Sequence, residues 1–199
     1  MTSLKARDNK SQMRAKRQPS LPGFGKFEIK EFGGSYLKGN AREERPISAK
    51  RPMHLVMRST LARGERSFLN KSKARQIESL VHKLAKEKGV KVYRFANSGN
   101  HLHFLLLPSS REAFHSYIRA ISGLIARISL GVERGKALGL KFWDARPYTK
   151  IIEWGREFRS VCNYVLQNTL EAIGFIAYQP RGRKKQQILK INCSVRGVP

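Results

Sequence analysis

Val90-Lys91-Val92-Tyr93-Arg94-Phe95-Ala96, then Asn97-Ser98-Gly99-Asn100, then His101-Leu102-His103-Phe104-Leu105-Leu106-Leu107: two β-rich runs flank a turn-forming tetrapeptide. Glycine and asparagine tolerate a tight chain reversal, so the runs read as a hairpin. The second run is apolar from Leu102 to Leu107 apart from His103, as in a strand buried in a core. Period 2 puts His101 and His103 side by side on one face. Core strands rarely carry two such rings unless something uses them.

Working outward, Lys71 to Lys88 repeats apolar residues at helical spacing (Ile77, Leu80, Val81, Leu84, Ala85) and Gly89 ends it. Met53 to Ser59 reads as a strand before it. After the hairpin, Ser109 and Glu112 form a capping-box pattern ahead of a helix with Phe114, Tyr117, Ile118, Ile121, Ile125 and Ile128. A glycine-rich basic loop follows, Gly131 to Lys141. Tyr148 to Trp154 reads as a fourth strand. Arg156 to Ile173 reads as a last helix, packed through Phe158, Val161, Cys162 and Val165 and closed by Gly174. This order predicts an α+β fold: a ferredoxin-like split βαββαβ sheet with helices on one face and an additional C-terminal helix. The other face is expected to be open to a ligand or a partner's sheet. Residues 1–45 read as a basic, partly disordered arm, 46–178 as the catalytic domain and 179–199 as a basic tail. Within the arm, Phe24 to Leu37 reads as short strands or an extended segment.

Lysine and arginine total 40 against 14 acidic residues, a formal charge of +26 on 199 residues. Such a chain repels itself and calls for a polyanionic partner, DNA or RNA. Apolar content of 40% supports a core. The two cysteines, Cys162 and Cys193, suggest neither a disulfide framework nor a cysteine zinc site. No apolar run reaches membrane-spanning length and no signal peptide is recognisable. The expected setting is the cytoplasm, on the nucleoid when DNA-bound, with no membrane partner.

Neutral imidazoles are good ligands for divalent metals. Two on alternate strand positions can point at one ion, which would polarise a phosphate. His54, in the first strand, reads as a structural histidine that packs or orients a ligand. Far along the chain, Tyr164 and Asn168 lie four apart on one helix flank. Tyr164 falls at the edge of the apolar stripe and can reach outwards as a nucleophile. Asn168 offers a neutral carbonyl oxygen as a third ligand. Gln167 is its natural substitute, and Glu171 shares the flank of Tyr164. Two histidines, a tyrosine and an amide in a chain this basic point to metal-assisted cleavage of single-stranded DNA.

These residues carry a resemblance. Asn100-His101-Leu102-His103-Phe104-Leu105-Leu106 matches the Asn-His-x-His segment of the IS200-like transposases. Pro52 to Arg58 matches their first strand, and Phe142-Trp143-Asp144-Ala145-Arg146 resembles the segment upstream of their catalytic helix. Tyr164 with Asn168 matches their Tyr-x-x-x-Asn/Gln element. Over residues 46 to 175 the chain resembles the REP-associated branch of these enzymes, single-tyrosine members of the HUH endonuclease superfamily. Thr169 stands where the family often has proline, and the basic N-terminal arm lies beyond the family's core domain.

The resemblance implies Tyr164 as nucleophile, with His101, His103 and Asn168 holding Mg²⁺ or Mn²⁺. It implies cutting of single-stranded DNA near hairpins (imperfect palindromes) through a 5′-phosphotyrosine, with strand joining by the reverse step. Arg58, Arg94, Arg119, Arg146 and the tails are the candidate phosphate contacts. Trp143 and Tyr148 are candidates either for stacking on unpaired bases or for the core. Monomer and homodimer both remain open. The rival readings are a single-stranded or hairpin nucleic-acid-binding protein without chemistry, a transposase that binds but no longer cuts, and a metal nuclease using water. Tyr93 and Phe95, placed on one side of their strand, suit the first of these.

Overall fold

The computed structural model describes residues 30–34, 44–133, 136 and 139–178. The chain runs β1 (Glu31–Phe32), β2 (Met53–Arg58), α1 (Lys71–Glu87), β3 (Val90–Asn97), β4 (His101–Pro108), α2 (Arg111–Leu130), β5 (Tyr148–Ile151) and α3 (Arg156–Ala172). One sheet holds the strands in the order β1-β5-β2-β4-β3, each neighbouring pair antiparallel. The fold is therefore α+β, an antiparallel sheet with a C-terminal helix. Among the described residues no helix is long and apolar enough to cross a membrane.

Alternation along β2 and β4 divides the two faces of the sheet. Met53, Leu55 and Met57 on β2, and Leu102, Phe104 and Leu106 on β4, enter the main core with Ile77 and Val81 of α1 and Phe114, Tyr117 and Ile121 of α2. Truncating a fully buried ring such as Phe104 to alanine would cost about 3–5 kcal/mol. The odd-numbered residues of β4, His101, His103 and Leu105, face the other way.

That second face is not open along its whole width, as the sequence led us to expect. Helix α3 lies on it, against β3 and β4. The physical reason is the apolar stripe of α3, which must be buried somewhere. Phe158 and Cys162 pack on Leu105 and Ile152, with Tyr93 and Val161 alongside.

Tyr93 reaches this layer through a β-bulge. The β3–β4 register passes from Val92↔Leu106 to Arg94↔Leu105, leaving Tyr93 without a partner position. Tyr93 then stands edge-on to Phe158 at 5.3 Å. Phe95 packs on Phe104 in the main core, 5.0 Å between centroids. The two aromatics expected to share a face are thus on opposite ones, and the base-stacking surface they would have formed does not exist.

A second correction concerns the start of α2. The Ser109 N–H donates to Gly89 O, prolonging the β3–β4 ladder by one residue. The cap is therefore Ser110, whose hydroxyl accepts from the Ala113 N–H. Gly89 has φ +67, and a Cβ there would lie 2.8 Å from Ser109 Oγ, so this junction requires glycine.

Part of the expected N-terminal arm joins the domain. Glu31 and Phe32 pair with Lys150 and Thr149 at the sheet edge. Arg45 Nη1 donates to Pro147 O and Thr149 Oγ1, and its guanidinium lies 4.4 Å over the Phe32 ring. The disorder expected of the first 20 residues, the tail from 179 onward with Cys193, and most of Phe24 to Leu37 lie outside the described residues.

Candidate active site

Three elements bring their side chains to one place on the second sheet face. In the β2–β4 register, Arg58 lies opposite His101 and Val56 opposite His103. Cross-strand partners share a face, so His54, Val56 and Arg58 lie on the face of the histidine pair. Helix α3 then lays Tyr164 over them.

The result is a cluster of four rings. His101 and His103 are 4.8 Å apart between centroids. His103 and His54 are nearly parallel, 5.5 Å apart between centroids and 12° between planes. Tyr164 stands edge-on to both, 5.4 Å from His103 and 5.8 Å from His54. His103 is buried, while Tyr164 and His101 are half-buried. The two histidines and the tyrosine singled out in the sequence are therefore neighbours in space.

Hydrogen bonds set the outer edge of the cluster. His101 Nδ1 lies 2.7 Å from Asn100 Oδ1. His103 Nδ1 lies 3.3 Å from His54 Nε2. His54 is held well below the usual histidine range, at about 4, by burial and then by the charge of Lys150. It is therefore neutral at physiological pH. Lys150 is opposite His54 in the β2–β5 register and reaches Glu157 at 3.3 Å and Glu31 at 3.5 Å.

Asn168 follows Tyr164 by one turn and is buried. Its Nδ2 donates to the Tyr164 carbonyl at 2.7 Å. The amide nitrogen is thereby tied to the helix, and Oδ1 is the atom it has for a cation. Gln167 donates instead to Glu171 Oε1.

Two imidazoles and an amide oxygen are a neutral donor set suited to a divalent first-row metal. Among the described residues no three His, Cys, Asp or Glu side chains group to hold one. Any third ligand would be of another kind, such as the Asn168 amide oxygen or a substrate phosphate.

The candidate DNA contacts divide by position. Arg58 is 64% exposed beside His101, with Nε 3.7 Å from Asp144 Oδ2. Asp144 Oδ1 also accepts from the Thr60 N–H and hydroxyl. Arg146 is exposed on the same loop as Asp144. Arg94 is half-buried and shares the face of Leu105, in the layer of α3. Arg119 is exposed on α2, across the sheet from the histidines. Trp143 is half-buried against the main core: its ring packs on Phe142 and Phe68, and its N–H donates to Ser122 O. From sequence Asn100 reads only as a turn residue and part of a motif, and Lys150 carries no signal at all. The one signal for Asn100 was its place directly before His101.

The family model described as "Transposase IS200 like" matches residues 50–168, more than half of the chain. The solved structure of a REP-associated tyrosine transposase bound to a REP hairpin is 16% identical, with a TM-score of 0.51, covering 68% of this chain and 76% of that one. At that identity the likeness is one of fold. A proposed transposase of Deinococcus radiodurans R1 is 14% identical over 64% of this chain and 97% of its own, with a TM-score of 0.39 that carries no argument. No curated protein matches the chain. The span matched by the family model runs from Lys50, just ahead of the strand that carries His54, to Asn168 and so contains the whole ring cluster: the chain belongs to the family of IS200-like transposases.

Proposed function

We propose that the protein is a metal-dependent strand transferase of the REP-associated branch. It cuts single-stranded DNA beside hairpins through a 5′-phosphotyrosine on Tyr164. The observation that carries this reading is the edge-on contact of Tyr164 with His103, beside His101. It brings a nucleophile to the two imidazoles best suited to hold a cation.

His101, His103 and Asn168 would hold Mg²⁺ or Mn²⁺, which withdraws charge from a scissile phosphate. The chain's own groups do the rest. Tyr164 Oη attacks phosphorus, the bond to the 3′ oxygen breaks, and the strand downstream of the cut stays on the tyrosine through its 5′ phosphate. The phenolic proton is lost and the departing 3′ oxygen gains one, so no water is consumed. The reverse step joins strands. Arg58, beside His101, binds the phosphate backbone. The sheet order β5-β2-β4-β3 with α1 and α2 on one face supports a ferredoxin-like core. The expected setting is the cytoplasm, at the nucleoid.

The test is an adduct assay. Labelled single-stranded hairpin DNA from the protein's own locus is incubated with protein and Mn²⁺ and resolved on a denaturing gel. A protein–DNA adduct, lost with chelator, supports the reading. Cleavage without an adduct would replace it with a water-using nuclease, and binding alone with a non-catalytic protein.

A further inference from the structure

We propose that Asn100 and His54 are positioning residues that fix His101 and His103 in one and the same tautomer, protonated on Nδ1, so that both offer Nε2 to a cation. This rests on the metal-assisted reading above and names what holds its two imidazoles.

For His101 the assignment follows from the partner's chemistry. An amide oxygen only accepts. With Asn100 Oδ1 at 2.7 Å, His101 Nδ1 carries the proton. Its Nε2 therefore keeps a lone pair.

For His103 two arrangements satisfy the 3.3 Å contact with His54 Nε2. If His54 donates, His103 is protonated on Nε2 and has no lone pair there. If His54 accepts, His103 carries its proton on Nδ1 and matches His101. Only the second lets two imidazoles at alternate positions of one strand serve one ion. The rings meet nearly end to end: His54 and His103 come from adjacent strands, their planes are 12° from parallel, and centroids 5.5 Å apart fit nitrogens 3.3 Å apart in line. The strand register therefore brings the two nitrogens together, and the lone pair that a shared cation needs on His103 Nε2 sets the direction of the bond.

The test uses the full chain labelled with ¹⁵N-histidine. Long-range ¹H–¹⁵N spectra of the metal-free protein report each tautomer. Calorimetric titration with Mn²⁺ alone reports affinity. Wild-type protein should show Nδ1–H on both His101 and His103. His54→Phe keeps a ring but cannot accept, and should weaken Mn²⁺ binding about 10–100-fold. His54→Gln, whose amide oxygen can accept, should stay within a few-fold of wild type. Asn100→Ala should shift the His101 tautomer and leave that of His103 unchanged. A wild-type His103 protonated on Nε2 overturns the proposal, as does a folded His54→Phe that binds Mn²⁺ like wild type. Wild-type protein that binds no Mn²⁺ overturns the metal-assisted reading and this inference together. If His54→Phe fails to fold, the wild-type spectrum and His54→Gln decide alone: loss of affinity in His54→Gln equal to that of His54→Ala also overturns it.

Discussion

Tyr164 on α3 and His103 on β4 meet edge to face, ring centroids 5.4 Å apart and planes at 87°. The contact is between the two rings, and a phenylalanine ring can keep it. Tyr164→Phe should therefore fold normally, with stability changed by about 1 kcal/mol or less. It should bind the hairpin as wild type does and form no covalent adduct. A gel that still shows adduct would move the nucleophile elsewhere.

The neutral donor set makes a second prediction. Chelator should abolish cleavage while leaving hairpin binding intact, because a chain of charge +26 holds phosphate without a metal. Mn²⁺ should support cleavage at lower concentration than Mg²⁺, since imidazole suits first-row metals better than Mg²⁺. His101→Ala, at a half-buried position, should lower the rate at least about 100-fold. Titration of each metal against single-turnover rate, in wild type and His101→Ala, checks the rates, and a gel shift with chelator checks the binding.

Local spacing made the histidine pair, the Tyr164–Asn168 flank and the order of helices and strands readable in the sequence. What escaped it depends on contacts between distant segments. Nothing local shows that His54 meets His103, because that needs the β2–β4 register across 49 residues. The bulge at Tyr93 leaves no mark in composition, yet it sends Tyr93 and Phe95 to opposite faces. The stripe on α3 announced that the helix would be buried, not which sheet face would bury it. Trp143 looked equally suited to DNA and core, and Phe68 with Ser122 draws it to the core side.

Arg58 is exposed and paired with Asp144 at the sheet end that carries His101. Its role as a phosphate contact is checked by salt. Arg58→Ala should weaken hairpin binding for every sequence alike. It should also flatten the slope of log K against log salt by about 0.7, the value of one single-strand contact. An unchanged slope would assign Arg58 to its ion pair alone.

Arg45 serves the fold. Burial, then the charge of Arg146, lowers its pKa to about 10, yet it stays charged and gives Nη1 to Pro147 O and Thr149 Oγ1. Thr149 is buried. Arg45→Ala would leave both acceptors without this donor and strip a cation from Phe32, costing about 2 kcal/mol. Urea unfolding should show a lower midpoint with m unchanged. The adduct yield of the folded fraction should be that of wild type.

His54 makes stability depend on pH across the histidine range. In the unfolded chain it titrates near 6.5, and in the fold at about 4. Below pH 6.5 the unfolded state binds a proton that the folded state refuses. Stability is therefore present in full above pH 6.5 and is lost progressively as pH falls toward about 4. Between pH 7 and 5 the loss should be about 2 kcal/mol. Glu153 and Glu157 are held below the ordinary carboxylate range, by hydrogen bonds from Lys30 and Arg51 in the first case and from the Glu153 N–H in the second. Their losses begin only at lower pH; His115, lowered by burial and then by the charge of Arg111, acts in the same sense in wild type and variant alike and cancels in the comparison. His54→Gln has no proton to gain. In metal-free protein, the wild-type urea midpoint should fall more from pH 7 to 5 than that of His54→Gln. Equal falls would mean that His54 charges freely within the fold, and that the paired rings at the base of the site are looser than their 3.3 Å contact implies.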